Sequence, residues 1–325
     1  MAVPVDSHIS VLLREACDAL LPERGGTLVD ATFGRGGHSR ELLRRLPAHG
    51  AGTSPSRLVA LDRDAAAERE AAHIDDARFR FVRAHFGDLA STLARVGLRE
   101  GSVDGLLMDI GVSSPQLDDG ARGFSFMRDG PLDMRMDQGR GVTAAEWLAS
   151  ASTEQLAEVI RDYGEERFAS RIAAAIVAAR ERQPVERTVQ LAQIVEKAVP
   201  ARWSGQHPAT KTFQAIRIHI NQELEELRMA LSEAIDLLGP GGRLAVITFH
   251  SLEDRIVKQW MRDAAGRTPE DPRLRHLPNR LTRAPRMKLV GRDIAPSAGE
   301  IAGNPRARSA RLRVAERLID AGAAA

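Results

Sequence analysis

The stretch Thr27–His38, TLVDATFGRGGH, decides how the rest of this chain is read. It opens as a short β-rich run, Thr27–Phe33, and breaks into glycines at Gly34, Gly36 and Gly37. Glycines directly after a strand let the backbone approach a ligand closely, and the helix that follows offers unpaired N–H groups. That helix is visible in the pattern, because Gly37–Leu46 sets Leu42, Leu43 and Leu46 on one face. A strand, a glycine turn and a helix form the first unit of an open α/β sheet, whose ligands bind at the carboxyl ends of the strands near the switch point.

Outward from this unit the alternation continues. Arg57–Asp62, Phe79–Phe86 and Val103–Gly111 read as three more strands, and an Ala-rich helix follows the second. Their near-continuous apolar runs predict a parallel sheet covered on both faces. Between Val112 and Gly242 there is no convincing strand. Val112–Gly141 is rich in Gly, Asp, Ser and Pro and has no period, and a loop of that length inside a compact domain is usually functional. Helical patterns follow over Ala144–Ser150, Thr153–Tyr163, Glu165–Arg182, Thr188–Val199 and Lys211–Leu238. A fifth strand is expected over Gly242–His250, a helix from Leu252 to Met261, and a last strand over Ala310–Arg317. The expected organisation is an α/β sheet domain, residues 1–112 and 215–325, interrupted by an all-helical domain over 113–214.

Each strand end carries a polar group suited to a nucleoside ligand. Asp62, after the second strand, is placed to accept both hydroxyls of a ribose. Either a dinucleotide or S-adenosyl-L-methionine fits the glycine turn with Asp62. Asp30 favours the second, since a carboxylate inside the first strand can hold an amino-acid end but sits badly beside a pyrophosphate. Phe86, after the third strand, is placed to pack on adenine or to fill the core, and Asp88 follows near the base edge. The fourth strand ends in Asp109-Ile-Gly-Val-Ser113-Ser114-Pro115-Gln116. Methyl transfer to an exocyclic amine needs acceptors that hold the N–H groups and rehybridise a delocalised nitrogen. Asp109, the Ser113 and Ser114 hydroxyls and the carbonyls before Pro115 are the candidates. The same string also reads as a turn held by Ser and Pro.

The chain has 325 residues, 46 basic against 44 acidic, and the single cysteine Cys17. One cysteine excludes a disulfide framework and a multi-cysteine metal site, and no metal is expected. No apolar run is long enough for a membrane span, and the charged first thirty residues do not read as a signal peptide, so a cytoplasmic location is expected. Only Lys197, Lys211, Lys258 and Lys288 are lysines. Arg255–Arg292 holds eleven basic residues against three acidic ones, a candidate polyanion footprint or a solvated basic loop.

The strings TFGRGGHSR (Thr32–Arg40), DIGVSSPQLDD (Asp109–Asp119), RGFSFMRDGPLDMRMD (Arg122–Asp137), YGEERFASRIA (Tyr163–Ala173), TFQAIRIHINQELEEL (Thr212–Leu227), FHSLEDRIVK (Phe249–Lys258) and NPRARSARLR (Asn304–Arg313) resemble the bacterial RsmH/MraW family of small-subunit ribosomal RNA cytosine-N4 methyltransferases. The resemblance runs from about His8 to Arg317. It implies a class I, Rossmann-like methyltransferase with a helical insert. It also implies methylation of N4 of a cytidine in the decoding (P-site) region of 16S rRNA, with S-adenosyl-L-methionine as the cofactor. It places cofactor contacts on Gly36, Gly37, His38, Asp62, Phe86, Asp109 and Gln116; His38 and Gln116 come from the resemblance alone. The region Gly266–Ala298 and the insertion Pro47–Ser56 match the family least.

The expected partner is 16S rRNA or the small ribosomal subunit, with a homodimer left open. Thirteen aromatic residues are too few for a base-stacking platform, so arginine contacts and one flipped cytosine are expected to carry recognition. In the unpatterned loop, Phe124 and Phe126 are candidates to hold that base, or to anchor the loop. Arg122, Arg128 and Arg135 are candidate phosphate or carboxylate partners. His250 either lines the acceptor pocket or is a hydrogen-bonded structural residue. A dinucleotide-dependent oxidoreductase and a non-enzymatic RNA-binding factor are the competing classes.

Overall fold

The computed structural model describes residues 10–50, 55–200, 207–267 and 284–319, without the side chains of Pro22 and Ser114. The middle of the basic block and part of the Pro47–Ser56 insertion therefore lie outside the described residues.

The elements of the first unit run α1 (Leu13–Leu20), β1 (Thr27–Asp30), α2 (Gly37–Arg45), β2 (Arg57–Asp62), α3 (Ala65–Ala71), β3 (Phe79–Arg83), α4 (Leu89–Arg95) and β4 (Val103–Asp109). The helical stretch holds α5 (Ser114–Asp118), α6 (Ala144–Ser150), α7 (Thr153–Gly164), α8 (Ala169–Arg180), α9 (Thr188–Ala198) and α10 (Ala209–Asn221). Then come α11 (Glu223–Leu237), β5 (Leu238–Thr248), α12 (Ser251–Ala264), β6 (Met287–Leu289), α13 (Ala298–Gly303) and β7 (Arg311–Arg317).

The seven strands form one sheet in the order β3-β2-β1-β4-β5-β7-β6. β1 to β5 pair in parallel, and β7 runs antiparallel to β5 and β6. Successive side chains on a strand point to opposite faces, and here each face meets its own helical layer. Val29, Val59, Leu106, Met108, Leu244 and Val246 pack with Leu89 and Leu93 of α4, Leu227 and Leu231 of α11 and Val257 of α12. Leu28, Leu58, Leu107, Ala245 and Ile247 pack with Ala16, Cys17 and Leu20 of α1 and Leu42 and Leu43 of α2. Two-sided burial explains why β1 and β4 read as unbroken apolar runs. It also accounts for Cys17, which is fully buried, with burial pushing its thiol up to about 12.

The chain divides into two compact units, with Val112–Leu224 as the second. This corrects the expected boundary at residue 214, because α10 puts Phe213 and Ile216 into the helical core with Leu156, Ile160, Leu191 and Val195. The single helix expected over Lys211–Leu238 is two. Gln222 takes a left-handed conformation, φ 51°, after a buried Asn221 whose amide donates to the Met134 and Arg217 carbonyls. Similarly, the helix expected from Glu165 starts at Ala169, because Glu165 caps α7 at φ 48° and Glu166 accepts from the Phe168 N–H. Sequence periodicity did not show α1, α13 or the three-residue β6.

Candidate active site

The strand order reverses between β1 and β4, so the carboxyl ends of these two strands define the switch point. Asp30 ends β1 beside Leu107, and Asp109 ends β4. Thr32 ties the two ends together: its Oγ1 accepts the Asp109 N–H at 2.6 Å. Asp30 lies deeper than expected. It is 1% exposed, its Oδ2 accepts from Ser39 at 2.6 Å, and its Oδ1 accepts from the Thr32 N–H at 3.2 Å. Burial raises its carboxyl to about 6, against the opposing pull of those two hydrogen bonds. The structure therefore corrects the expectation that Asp30 offers its carboxylate to a ligand; here it braces the glycine turn from beneath.

The three glycines separate by cause. Gly34 sits at φ +55° and a side chain there would meet nothing within 4 Å among the described residues. A side chain at Gly36 would strike the Phe33 ring, and one at Gly37 would strike Ser10 Oγ. Those two are small for packing at the start of α2. Asp62 is fixed from both sides by backbone, its Oδ2 accepting from the Gly34 N–H at 2.8 Å and its Oδ1 from the Asp64 N–H at 2.9 Å. Each oxygen keeps a second lone pair for a diol. Burial raises the Asp62 carboxyl, and the two N–H bonds oppose that shift.

His38 is 4% exposed, with Nε2 3.2 Å from the Val11 carbonyl. That contact assigns the proton to Nε2 and leaves the Nδ1 lone pair 3.6 Å from Asp109 Oδ2. Burial lowers His38 to about 4, so the ring is neutral near pH 7. Burial, then the charges of Asp30 and Glu253, raise Asp109 well above the ordinary carboxylate range. Asp109 Oδ1 is buried with no hydrogen-bond partner among the described residues. An orphaned acceptor, a carboxylate with lone pairs to spare for a diol and open space at Gly34 are the groups that S-adenosylmethionine would use.

His250 is placed as a cap. It precedes α12, its Nδ1 accepts from the Glu253 N–H at 3.4 Å, and its Nε2 lies 2.9 Å from Glu253 Oε1. Both ring nitrogens are therefore turned to Glu253, which is the structural alternative for this residue. Phe86 lies in a 3-10 turn after β3 rather than in the strand, 9% exposed within the sheet core, and Asp88 is exposed. Beside it, Glu226 Oε1 accepts from Arg63 at 3.0 Å and lies 2.9 Å from His85 Nδ1.

In the helical unit the candidates divide sharply. The Ser113–Gln116 string is the first turn of α5, with Gln116 Oε1 accepting the Ser113 N–H at 2.9 Å and Pro115 in the opening turn. Gln116 is 6% exposed. Arg122 is buried, and its Nη2 donates to the Arg135 and Met136 carbonyls at 3.1 and 2.9 Å. Arg135 grips Asp133 with two bonds of 2.7 and 3.0 Å. Neither arginine is free for phosphate, which corrects that part of the expectation. Phe124 is 5% exposed in the helical core, and Phe126 stacks on His207 at 4.4 Å and meets Phe213 edge-on at 5.0 Å. Both rings anchor the loop. Arg128 is exposed, spends one nitrogen on the Asp118 carbonyl, and pairs with no carboxylate among the described residues.

In the basic block, Arg273, Arg275, Arg280 and Arg283 lie outside the described residues, Arg286 pairs with Asp236, and Lys288 pairs with Glu316 at 2.8 Å. Among the described residues no group of three or more His, Cys, Asp or Glu is placed to hold a metal, and no helix is long and apolar enough to cross a membrane.

Sequence reasoning missed Thr32, Ser39 and Glu253. The first two are small hydroxyl residues flanking a buried aspartate, a weak signal. Glu253 had a readable one, the spacing of a cap residue and a Glu three positions later.

The glycine turn, Asp62 and Asp109 at the switch point of a seven-stranded α/β sheet are the arrangement of a Rossmann-like, S-adenosylmethionine-dependent methyltransferase. The MraW methylase family model matches residues 6–318, and the chain belongs to that family. A ribosomal RNA small subunit methyltransferase H from Dechloromonas aromatica is 55% identical over 314 residues, covering 96% of this chain and 98% of the relative. One of the same name from Azoarcus sp. is 57% identical over 316 residues, covering 95% and 96%. Among solved structures, an S-adenosylmethionine-dependent methyltransferase from Mesorhizobium loti aligns over 93% of this chain and 96% of that one, with 12% identity and a TM-score of 0.37. The family excludes the oxidoreductase alternative, and the cofactor is S-adenosyl-L-methionine.

Proposed function

We propose that this chain methylates N4 of a specific cytidine in the decoding (P-site) region of 16S rRNA, acting in the cytoplasm on the small ribosomal subunit. Relatives more than half identical over nearly the full length carry the name of a small-subunit rRNA methyltransferase. The observation that carries the choice of an exocyclic amine is Asp109 Oδ1, a buried acceptor at the end of β4 with no partner among the described residues.

S-adenosylmethionine, when bound, supplies the methyl group. Asp62 holds the ribose diol, Gly34 leaves room for the ligand, and Gly36, Gly37 and His38 shape the turn above it. Phe86 bounds the adenine side, and Gln116 is a further cofactor contact that the resemblance implies. Asp109 Oδ1 accepts an N–H of the target amine and fixes the direction of its lone pair. The Ser113 and Ser114 hydroxyls and the carbonyls before Pro115, four to six residues further along the chain, are the other acceptors in this reading. The nitrogen's lone pair forms the bond to the methyl carbon as that carbon's bond to sulfur breaks, its electron pair staying on sulfur to leave S-adenosylhomocysteine; the nitrogen, now cationic, loses a proton to solvent, so no dedicated base is needed.

The test is incubation of the purified protein with methyl-labelled S-adenosylmethionine and small subunits from a strain lacking the modification. Label in N4-methylcytidine at one position is the expected result. Absence of label, or label on another atom, overturns the reading.

A further inference from the structure

We propose that Met127 is an apolar wedge that enters the target RNA's base stack and holds the space vacated by the flipped cytidine, with Arg128 on the adjacent phosphate. The inference rests on the rRNA reading above and adds the element that opens the substrate.

Met127 is 82% exposed, more than any other large hydrophobic residue among those described. An apolar chain in water is ordinary on a loose surface, but this loop is not loose. Two residues before it, the Ser125 hydroxyl accepts the Met127 N–H at 3.2 Å. Phe126 is clamped between His207 and Phe213. Arg128 is tied to the Asp118 carbonyl, and Asp129 is paired with Arg187 at 2.7 Å. Gly130 passes so close to Gly120 that any side chain there would collide with the Gly120 carbonyl. The Thr188 N–H then donates to the Gly130 carbonyl at 3.0 Å. Every neighbour of Met127 is held, and Met127 is the one apolar side chain of this stretch that stands fully in solvent.

Unstacking a base costs a few kcal/mol, and proteins that do it commonly insert an apolar side chain at the step they open. Methionine suits that task. Its unbranched chain is slim, and its polarisable thioether packs well against π faces. Phe124 and Phe126, the aromatic residues of this loop, are both spent on anchoring it. Arg128, exposed and with no carboxylate partner among the described residues, puts its positive charge one residue from the wedge, where the phosphate of an opened step would lie.

The experiment uses the full-length protein and small ribosomal subunits. Met127→Ala is expected to lower kcat/KM for the rRNA about tenfold while S-adenosylmethionine affinity and melting temperature stay at wild-type values. Met127→Leu, which keeps the bulk, is expected to stay within about threefold of wild type. A subunit carrying 2-aminopurine beside the target cytidine reads unstacking directly. Fluorescence rises with wild-type protein and with Met127→Leu, and stays flat with Met127→Ala. Wild-type efficiency in Met127→Ala, or loss of cofactor affinity in step with turnover, overturns the wedge. Failure of the wild type to methylate N4 instead brings down the underlying reading, so the two failures are distinct.

Discussion

The β1–α2 turn of the sheet unit and the arginine loop of the helical unit are both dense in polar side chains, yet they spend them differently. Around the turn, Asp30, Thr32 and Ser39 satisfy one another, and the result is a fixed frame with one acceptor, Asp109 Oδ1, left over. In the loop, Arg122 and Arg135 satisfy the loop's own carbonyls and Asp133, and the residues left over are Met127 and Arg128. Residue type marks a candidate. The hydrogen-bond ledger of its neighbourhood decides whether its chemistry faces inward or outward.

The largest expected effect falls on the leftover acceptor. Asp109→Ala should cost at least about a hundredfold in turnover, as loss of a preorganised polar contact at a reacting group does. Asp109→Asn should remain within about tenfold of wild type, because an amide keeps an acceptor oxygen at Oδ1. Equal damage by both variants would show that Asp109 works as an anion. Single-turnover methylation assays separate these cases.

The frame beneath it has a pH signature. The native state holds the Asp30 proton more tightly than the unfolded chain, with a value of about 6 against 3.8. The stability this contributes is complete below the unfolded value and is lost as pH rises toward 6, an effect on the order of 3 kcal/mol. His38, lowered from 6.5 to about 4, acts in the opposite sense: its contribution is present above 6.5 and is lost as pH falls toward 4. Asp30→Asn should remove the first slope and leave the second. Urea unfolding across pH 4 to 7 checks it, and an unchanged profile would mean that Asp30 is not the buried acid.

Next in size is the ribose contact. Asp62→Ala should weaken S-adenosylmethionine binding by about 2 kcal/mol, roughly thirtyfold, with the sheet intact. Calorimetry and a melting curve measure the two parts. The smallest effects set the two kinds of arginine against each other. Arg122→Ala leaves two carbonyls unpaired and should lose about 2 kcal/mol of stability. Arg128→Ala should leave stability unchanged, weaken RNA binding a few-fold, and reduce the salt slope by about one. Destabilisation by Arg128→Ala, or none by Arg122→Ala, would break the comparison.

The sheet was legible because two-sided burial writes apolar runs into β1, β2 and β4, and glycines mark where the chain turns. Asp62 and Asp109 were legible because strand ends near a switch point carry ligand groups in any open α/β sheet. The break at Gln222 was not, since it depends on Asn221 finding Met134 and Met136 far away in the chain. For the same reason Arg122 and Arg128, two arginines six residues apart, looked alike. Depth separates them, and depth comes from tertiary packing rather than from local pattern.

Cys17 carries a practical consequence. Thiol reagents are attacked by the thiolate, and this sulfur is both out of solvent and held protonated, with a value of about 12. The native protein should be silent to such reagents, and slow labelling of Cys17 would count the openings of the α1 layer. Against that silent background, Met127→Cys would take up a single probe at the loop tip. The fold thus supplies both a built-in clock for its own opening and a clean attachment point for following RNA.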